Sequence, residues 1–556
     1  MNKFDRQGRL INIIYLNMEN IRRQLIKLAD DYFAFMARAY PVMTLSDEFY
    51  FFPRASQAIQ YLNCLDSLDK EKTNQNNSQI KTLMRDLERL DTKKMDLETQ
   101  IDYQLIKASM NGFLREFQNI KIWQNDPNLY LKIIILGIEQ IVHKLPMIKR
   151  AIRGELTSRI KQIPRLLKEA KTNLKQIPLY SQEVAIQTAE ATVKYLKTDF
   201  LLFLKARGLK TKELKLLTSR AIQSLEEFKR FLKRKTSSED FIKDRAILED
   251  LLINGFSYQR SLREIFEIAS WEYQRIRQEL KMASSHIQPA MSWQGILSNY
   301  RIKIKNKKEL LSLYSHQIIC LRDFLAKSDL INLPRMQNIK VRQTPVYLAP
   351  IRASASYSCP LSKNQKESAF FYVSINNIKE NIHQEYIFVT AHETYPGHHL
   401  LDSIRRNIQN PIRRQIESPL FYEGWASYAE RLIDEFGYQK HSRQRLVGLR
   451  RQAWRAIRAK LDVGIRINKI KPSQAADELR WLGYSSERVK AMLRHYILTY
   501  GYQLCYTIGK FEIENLRKKF VPLMGIKNFH SCLLGGGQLP FDSIKKRMER
   551  LCKMNS

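Results

Sequence analysis

The chain has 556 residues, 44% of them hydrophobic, and its 93 Lys+Arg against 56 Asp+Glu give a formal net charge of +37. That apolar fraction supports a large core and excludes wholesale disorder. The 19 Gly and 17 Pro leave few turn formers, which favours long helices over many short strands. Six cysteines without a CxxC pair exclude a disulfide framework and a thiolate metal site. We therefore expect a mainly α-helical protein of a reducing compartment, the cytoplasm.

The basic charge raises the question of anionic partners. Lys and Arg recur at helical spacing through 148–171, 228–245, 301–308 and 443–471, with neither zinc-finger spacing nor an aromatic RNA-recognition signature. Solvated helix faces explain this pattern better than a nucleic-acid site, so nucleic acid stays the less favoured partner. The sequence contains no uninterrupted apolar run of about 18 residues, so we expect neither a secretory leader nor a membrane span.

Helical periodicity dominates the first 290 residues, which we predict to form an N-terminal helical lobe. We expect a polar surface loop at Asp69–Gln79 and one amphipathic helix at Ser78–Lys107. Further helices are predicted at Leu156–Leu174, Tyr180–Arg207, Thr211–Arg234 and Asp244–Met282, with breaks at Pro164, Pro178 and Gly208.

The pattern changes between Asn338 and Ile378. Segments 339–348 and 369–375 alternate and contain β-branched and aromatic residues, which predicts strands joined by the polar loop Pro360–Ser368. Helices resume near Glu385 and continue to the C-terminus. We predict a second lobe, 291–556, in which a small sheet at about 338–377 precedes a metal-site helix, and we expect the two lobes to form one continuous unit around a cleft.

Three of the ten histidines lie in the segment HETYPGHH, residues 392–399. A His followed by Glu, with a further His beyond, is typical of zinc hydrolases: the imidazoles bind the metal and the free carboxylate takes a proton from the attacking water. The usual HExxH spacing puts both His on one helical face. Here Pro396 and Gly397 intervene, so a kink is needed to bring His398 or His399 to His392. We favour His398 and leave His399 open.

Glu423 is the candidate third ligand. It lies 25 residues beyond His398 in an apolar, aromatic segment, where a buried carboxylate requires a cation or strong hydrogen bonds. Glu430, seven residues on, shares its helical face and is placed to orient an imidazole.

These segments resemble the bacterial domain-of-unknown-function 885 family, whose hallmark is HExxPGHH followed by EGWAxYAE. Weaker similarities are at 159–174 (RIKQIPRLLKEAKTNL), 458–466 (RAKLDVGIR) and 500–509 (YGYQLCYTIG). The resemblance implies a large two-lobed helical fold of the gluzincin-like metallopeptidase clan with a zinc cleft. Three places depart from the family pattern: Arg466 replaces a His, Tyr500 replaces a Pro, and Glu367-Ser368-Ala369 replaces an R-P-G before a strand.

Together these features predict a zinc-dependent peptidase-like hydrolase of short peptides or related amides, with one Zn²⁺ per chain. Glu393 is the predicted base, and a donor to the oxyanion is expected among Tyr506, Tyr496, His495 and Arg466, in that order. The changes at Arg466 and Tyr500 leave an alternative: a catalytically impaired metal-binding protein or a basic nucleic-acid-associated protein.

Overall fold

A computed structural model describes residues 3–144, 149–209, 211–238, 245–335, 338–350, 352, 354–359, 368–375, 384–439 and 441–555. The described residues are mainly helical with one small sheet, which confirms the predicted fold class. Among them, no helix combines the length and the hydrophobicity needed to cross a bilayer.

The first helices in chain order are α1 (Lys3–Ala39), α2 (Pro41–Thr44), α3 (Lys70–Glu88), α4 (Leu97–Leu114), α5 (Ile122–Asn125), α6 (Pro127–Glu139), α7 (Lys149–Asn173), α8 (Leu179–Lys197), α9 (Asp199–Ala206), α10 (Lys212–Arg234), α11 (Arg245–Asp250) and α12 (Leu262–Ile287). Short 3₁₀ segments lie at Ser56–Tyr61 and Thr92–Lys94, and π-helical turns at Arg115–Asn119, Gln140–Lys144 and Leu251–Gly255.

The second half contains α13 (Trp293–Ser298), α14 (Lys307–Ser328), β1 (Ile339–Gln343), β2 (Ala355–Ser358), β3 (Ala369–Val373), α15 (Tyr386–Glu393), α16 (His398–Arg405), α17 (Pro411–Gln415), α18 (Pro419–Glu435), α19 (Ser442–Gly464), α20 (Pro472–Trp481), α21 (Ser486–Leu498), α22 (Tyr502–Met524), α23 (Ile526–Gly535) and α24 (Phe541–Asn555).

The chain divides into two compact units, each made of several segments. Unit 1 comprises Met1–Ile177, Leu196–Arg234 and Ile408–Glu417, and unit 2 comprises Pro178–Tyr195, Lys235–Asn407 and Ser418–Ser556. This division differs from the lobes 1–290 and 291–556, which stay a prediction.

In unit 1, the predicted single helix at Ser78–Lys107 and the predicted loop at Asp69–Gln79 are both wrong. The polar run belongs to α3, whose first turn is capped by the Asp69 side chain, an acceptor for the backbone N–H groups of Glu71 and Lys72. Asn76 is buried and donates to the Tyr40 hydroxyl (3.1 Å), so tertiary contacts satisfy this polar segment as a helix. A second cap at Asp96 then starts α4.

The predicted break at Pro164 is also absent, because α7 runs through it from Lys149 to Asn173. A proline inside a helix removes one backbone hydrogen bond. Ile160, Ile163 and Leu167 around it are almost completely buried, and α7 packs against α10. The apolar contact area of this face outweighs the lost hydrogen bond.

In unit 2, β3 is the central strand of a three-stranded sheet formed by the described residues. It pairs with β1 in parallel and with β2 antiparallel, and its five residues are buried. The two predicted strands are present in shorter form, whereas β2 was missed because ASYS has no β-branched residue. The predicted loop Pro360–Ser368 lies outside the described residues except for Ser368.

The helices that carry the candidate site cross closely. A Cβ on Gly424 of α18 would lie 2.5 Å from the Cα of Gly509 of α22, and one on Gly509 would lie 2.0 Å from the Leu420 carbonyl oxygen. Only glycine permits this approach. It brings Tyr506 and Tyr502, one and two turns before Gly509, next to Glu423, which precedes Gly424.

Candidate metal centre

The segment between His392 and His398 is a tight turn that separates two helices. Helix α15 ends at Glu393 and α16 begins at His398, and the Tyr395–Pro396 peptide bond is cis. The Gly397 N–H donates to the Ala391 carbonyl (2.9 Å), which bends the chain back toward α15. The extra residues relative to HExxH are thus accommodated by ending one helix and starting another.

Gly397 is required in this turn. A Cβ at this position would lie 1.9 Å from the His392 carbonyl oxygen and 2.5 Å from that of Ala391. The buried Trp425 of α18 donates from Nε1 to the Pro396 carbonyl (2.9 Å), which ties the turn to the helix that carries Glu423.

The turn places His392, His398 and Glu423 together as a buried group that could hold a metal ion. Glu423 Oε2 lies 3.2 Å from His392 Nε2 and 3.5 Å from His398 Nε2, and the three ligand atoms lie within 4.8 Å of one another. Ligand atoms about 2.0–2.1 Å from a tetrahedral ion are separated by about 3.3 Å. Both distances to Glu423 agree with that value, so the group fits a zinc-like ion.

His399, the alternative ligand, is not part of this group. Its Nδ1 lies 3.2 Å from the Tyr357 hydroxyl of β2, and its ring packs edge-on against Tyr395. The sheet therefore lies beside the metal-site helices, and β2 contacts the imidazole next to the ligand.

Charged residues behind His392 fix its orientation. Glu430 Oε1 lies 3.2 Å from His392 Nδ1, as expected for a carboxylate that accepts from a metal-binding imidazole. Arg455 Nη2 donates to the same Glu430 oxygen (2.6 Å), and Arg451 Nη2 does so at 3.1 Å. Burial alone would raise the pKa of Glu430, but these two guanidinium groups hold that pKa well below its usual range.

Glu423 is likewise charged in its buried position. Burial would raise its pKa, but the facing imidazoles of His392 and His398 hold the pKa well below the usual range. The other oxygen, Oε1, accepts from the Tyr502 hydroxyl at 2.5 Å. Burial and the neighbouring Glu423 carboxylate raise the pKa of Tyr502, so this hydroxyl remains a donor.

Tyr502 and Tyr422 are site residues that the sequence reasoning missed. Tyr422 stacks on His398 with ring centroids 3.9 Å apart and planes at 14°. Tyr422 could have been found as the neighbour of Glu423 in the same motif. Tyr502 gave only a weak signal, its position one helical turn before the predicted Tyr506.

Glu393 faces a cavity of about 500 Å³ that His392 and Tyr506 also line. Burial raises the pKa of the Glu393 carboxyl. No ion pair or hydrogen bond ties this carboxylate to another part of the described chain. A carboxylate with a raised pKa beside a three-ligand group is suited to accept and return a proton.

The predicted oxyanion donors separate into two pairs. Tyr506 lines the cavity and stacks on His392 with ring centroids 6.2 Å apart. Tyr496 lies just behind the cavity wall, where its hydroxyl accepts from the indole Nε1 of Trp454, a lining residue (3.1 Å). Neither residue of the second pair, His495 and Arg466, belongs to the described cavity lining.

Arg466 and His495 have other contacts in the described structure, and their role as donors stays a prediction. Arg466 is buried, and its guanidinium binds Asp462 Oδ1 (2.8 Å) and the Ile497 carbonyl (2.9 Å). Asp462 in turn accepts from the Gly501 N–H (3.1 Å), so this pair supports the start of α22. His495 is exposed and packs near Tyr180. Tyr500 is buried next to that helix start.

Fold and site together define a mainly helical protein with a buried His–His–Glu group able to bind a metal ion. The chain belongs to the family described as "Bacterial protein of unknown function (DUF885)", whose model matches residues 56–548. No curated protein matches the sequence.

Two solved structures share the fold. The "putative lipoprotein from Colwellia psychrerythraea" has a TM-score of 0.76 at 17% identity, covering 97% of this chain and 99% of that one. The "putative lipoprotein of unknown function from Shewanella oneidensis" has a TM-score of 0.72 at 19% identity, covering 95% and 99%. At these identities the likeness shows the fold alone.

Proposed function

We propose that this protein is a zinc-dependent, peptidase-like hydrolase of short peptides or related amides. The observation that carries this proposal is the position of Glu393: a carboxylate without a partner among the described residues, next in sequence to His392 and facing the same cavity. A metal site that served stability alone would have no use for it. Zinc held by His392, His398 and Glu423 would supply Lewis-acid chemistry, lowering the pKa of water and polarising the scissile carbonyl.

The chain's own groups perform the proton transfers. Glu393 accepts a proton from the attacking water and returns it to the leaving amine, a role that fits its raised pKa. Tyr506 is the donor we assign to the oxyanion, because it lines the cavity beside His392. Burial raises the pKa of Tyr506, so its hydroxyl keeps its proton at neutral pH. Glu430 holds the His392 tautomer that leaves Nε2 free for the metal.

The test begins with metal content. Purified protein should hold about one zinc per chain by elemental analysis, and His392→Ala or Glu423→Ala should lose most of it. The matched control is His399→Ala, which removes an imidazole one residue from a ligand and should keep the zinc. Equal zinc in all four proteins would contradict the ligand set.

Glu393→Gln separates catalysis from binding. It should retain zinc and lose peptide hydrolysis by orders of magnitude, because the amide cannot accept a proton. A zinc-loaded wild-type protein that cleaves no peptide would favour the alternative, an impaired metal-binding protein. Salt-sensitive binding to generic DNA would favour the nucleic-acid alternative.

We also propose a cytoplasmic location. None of the six cysteines forms a disulfide in the described structure, which fits a reducing compartment. Fractionation of the producing cells checks this. The two similar solved structures are named putative lipoproteins, and recovery of this chain with the membranes would contradict a cytoplasmic location.

A further inference from the structure

The cavity beside the metal group is lined mainly by arginine. Its charged lining residues include only two glutamates, Glu385 and Glu393, against six arginines: Arg301, Arg450, Arg451, Arg455, Arg458 and Arg488. Four of these arginines lie on α19, where residues 450, 451, 455 and 458 form one stripe of the helix. The cavity is therefore a positively charged recess within a basic protein.

Three of the arginines share two carboxylates, Glu385 and Glu430. Arg450 Nη2 pairs with Glu385 Oε1 (2.7 Å), and Arg451 bridges Glu385 and Glu430. Arg455 pairs with Glu430 (2.6 Å), behind His392. These contacts form one network that holds α19 against the start of α15 and the middle of α18. We attribute to this network the orientation of His392.

The other three, Arg301, Arg458 and Arg488, form no direct ion pair among the described residues, although the nearby Glu423 carboxylate contributes to a raised pKa of Arg458. Arg458 is buried: its Nε donates to Gln503 Oε1 (2.7 Å), and its guanidinium carbon lies 4.3 Å from the Tyr506 ring centroid and 4.4 Å from that of Trp454. Arg301 and Arg488 are exposed, and Arg488 lies 5.2 Å from the centroid of the Tyr484 ring.

A buried arginine held against aromatic faces is an anion site prepared in advance. Aromatic contacts and hydrogen bonds to the neutral Gln503 and Tyr506 side chains fix the guanidinium plane without a direct ion pair to a carboxylate. A planar guanidinium matches a carboxylate through two parallel hydrogen bonds. Because the ring beside Arg458 is that of Tyr506, which also stacks on His392, the guanidinium lies next to the metal group.

We propose that this cavity selects peptides that carry a carboxylate near the scissile bond, with Arg458 as its anchor and Arg301 and Arg488 attracting it at the rim. The carboxylate is either the free C-terminus or an acidic side chain. The selection of a substrate for cleavage rests on the proposed function, whereas the binding preference follows from the arginines themselves.

Binding is measured by calorimetry on the full zinc-loaded chain carrying Glu393→Gln, which should not cleave its ligands. The probes are N-acetyl-trialanine with a free C-terminus, its C-terminal amide, and the amide of N-acetyl-Ala-Asp-Ala. We expect at least one carboxylate probe to bind about tenfold or more tightly than the neutral amide. The tighter of the two identifies the source of the carboxylate. Equal affinity for all three would overturn the proposal.

Arginine variants of the Glu393→Gln protein show whether the carboxylate of the probe binds the arginines or the zinc. Arg458→Gln should abolish the preference, and Arg488→Gln, on the surface and safe for folding, should reduce it several-fold and weaken its salt dependence. Lys490→Gln removes the same charge from the same helix outside the described cavity lining and should leave the preference unchanged. A preference that survives both arginine variants would overturn the proposal.

Cleavage of the same probes by the wild-type protein tests the proposed function separately. Binding preference without any cleavage would contradict the hydrolase and leave the carboxylate site standing. Cleavage of all three probes at equal rates, with equal affinities, would contradict the carboxylate site and support the hydrolase.

Discussion

Unit 1 and unit 2 each bury a cluster of charged side chains, and the two clusters differ in what their atoms face. In unit 1, Asp66 accepts from the backbone N–H groups of Val42 (2.8 Å) and Met43 (3.1 Å) at the start of α2. Arg159 donates to the Gly137 carbonyl (2.6 Å), Gln140 Oε1 (2.9 Å) and the Cys64 carbonyl (3.1 Å). These charges are held by the fold itself.

In unit 2, by contrast, the inner ligand atoms face one another. Glu423 Oε2 points at the Nε2 atoms of both His392 and His398, and the group adjoins a cavity of about 500 Å³. Burial of charge alone is therefore no sign of function. Ligand atoms from three side chains that converge beside a space for a ligand are the informative arrangement.

The largest effect we expect is in unit 1. Arg159→Met leaves three buried acceptors without their donor and removes one of the two arginines near Asp66, so unfolding free energy should fall by about 3–5 kcal/mol. Zinc affinity of the folded protein should not change. Denaturant titration and a zinc competition assay measure the two quantities. A large loss of zinc affinity would show that the two clusters are coupled.

The second prediction concerns pH. Burial raises the pKa of Asp66 from 3.8 to about 7, outweighing the backbone donors and arginines that lower it. Between these values the native state holds a proton that the unfolded state releases, so this group's contribution to stability falls as pH rises. Asp66→Asn should abolish this slope, so that from pH 5 to pH 7 the wild type loses roughly 2 kcal/mol relative to the variant. Parallel stability curves would contradict this.

The third prediction concerns the turn of the metal group. Gly397→Ala forces the turn away from the His392 carbonyl, at a cost of about 1–3 kcal/mol. Zinc affinity should fall about ten- to a hundredfold although no ligand is changed. The control is Gly154→Ala, an exposed helical position with open space around it, which should raise stability slightly and leave zinc binding alone. Unchanged affinity in Gly397→Ala would show that the ligands tolerate a different turn.

The metal group was the most predictable part of the molecule, because its residues lie close together in the sequence at spacings typical of metal sites. His392, Glu393 and His398 lie within seven residues, and Glu423 follows in a motif of unusual composition. The mainly helical fold followed from the shortage of Gly and Pro. Boundaries were less predictable: Asp69 and Asp96 act as caps whose effect depends on what α3 buries.

Residues whose role depends on distant segments could not be predicted. Tyr502 reaches Glu423 because α18 and α22 cross at Gly424 and Gly509, which are 85 residues apart. The sequence of neither helix predicts that crossing. The contacts of Arg466 in the structure differ from the pocket role that the family resemblance implied for its position. The carboxylate of Asp462, four residues earlier on the same helical face, was the better guide to its partner.

The smallest effect we expect is at Tyr502, and it sharpens the comparison most. Its hydroxyl donates to the outer oxygen of Glu423, so it orients a ligand carboxylate without facing the metal position. Tyr502→Phe removes that hydrogen bond and keeps the ring, and zinc affinity should fall about tenfold, the lower end of what partners of metal ligands contribute. Tyr506→Phe, one turn along α22, removes a hydroxyl that contacts none of the three ligands in the described structure, and should keep zinc affinity while hydrolysis falls. Chelator competition resolves a tenfold change in the first variant, and peptide turnover measures the second. Equal zinc affinities in the wild type and both variants would mean that Glu423 is positioned by α18 alone; a loss in Tyr506→Phe but not in Tyr502→Phe would exchange the roles of the two tyrosines.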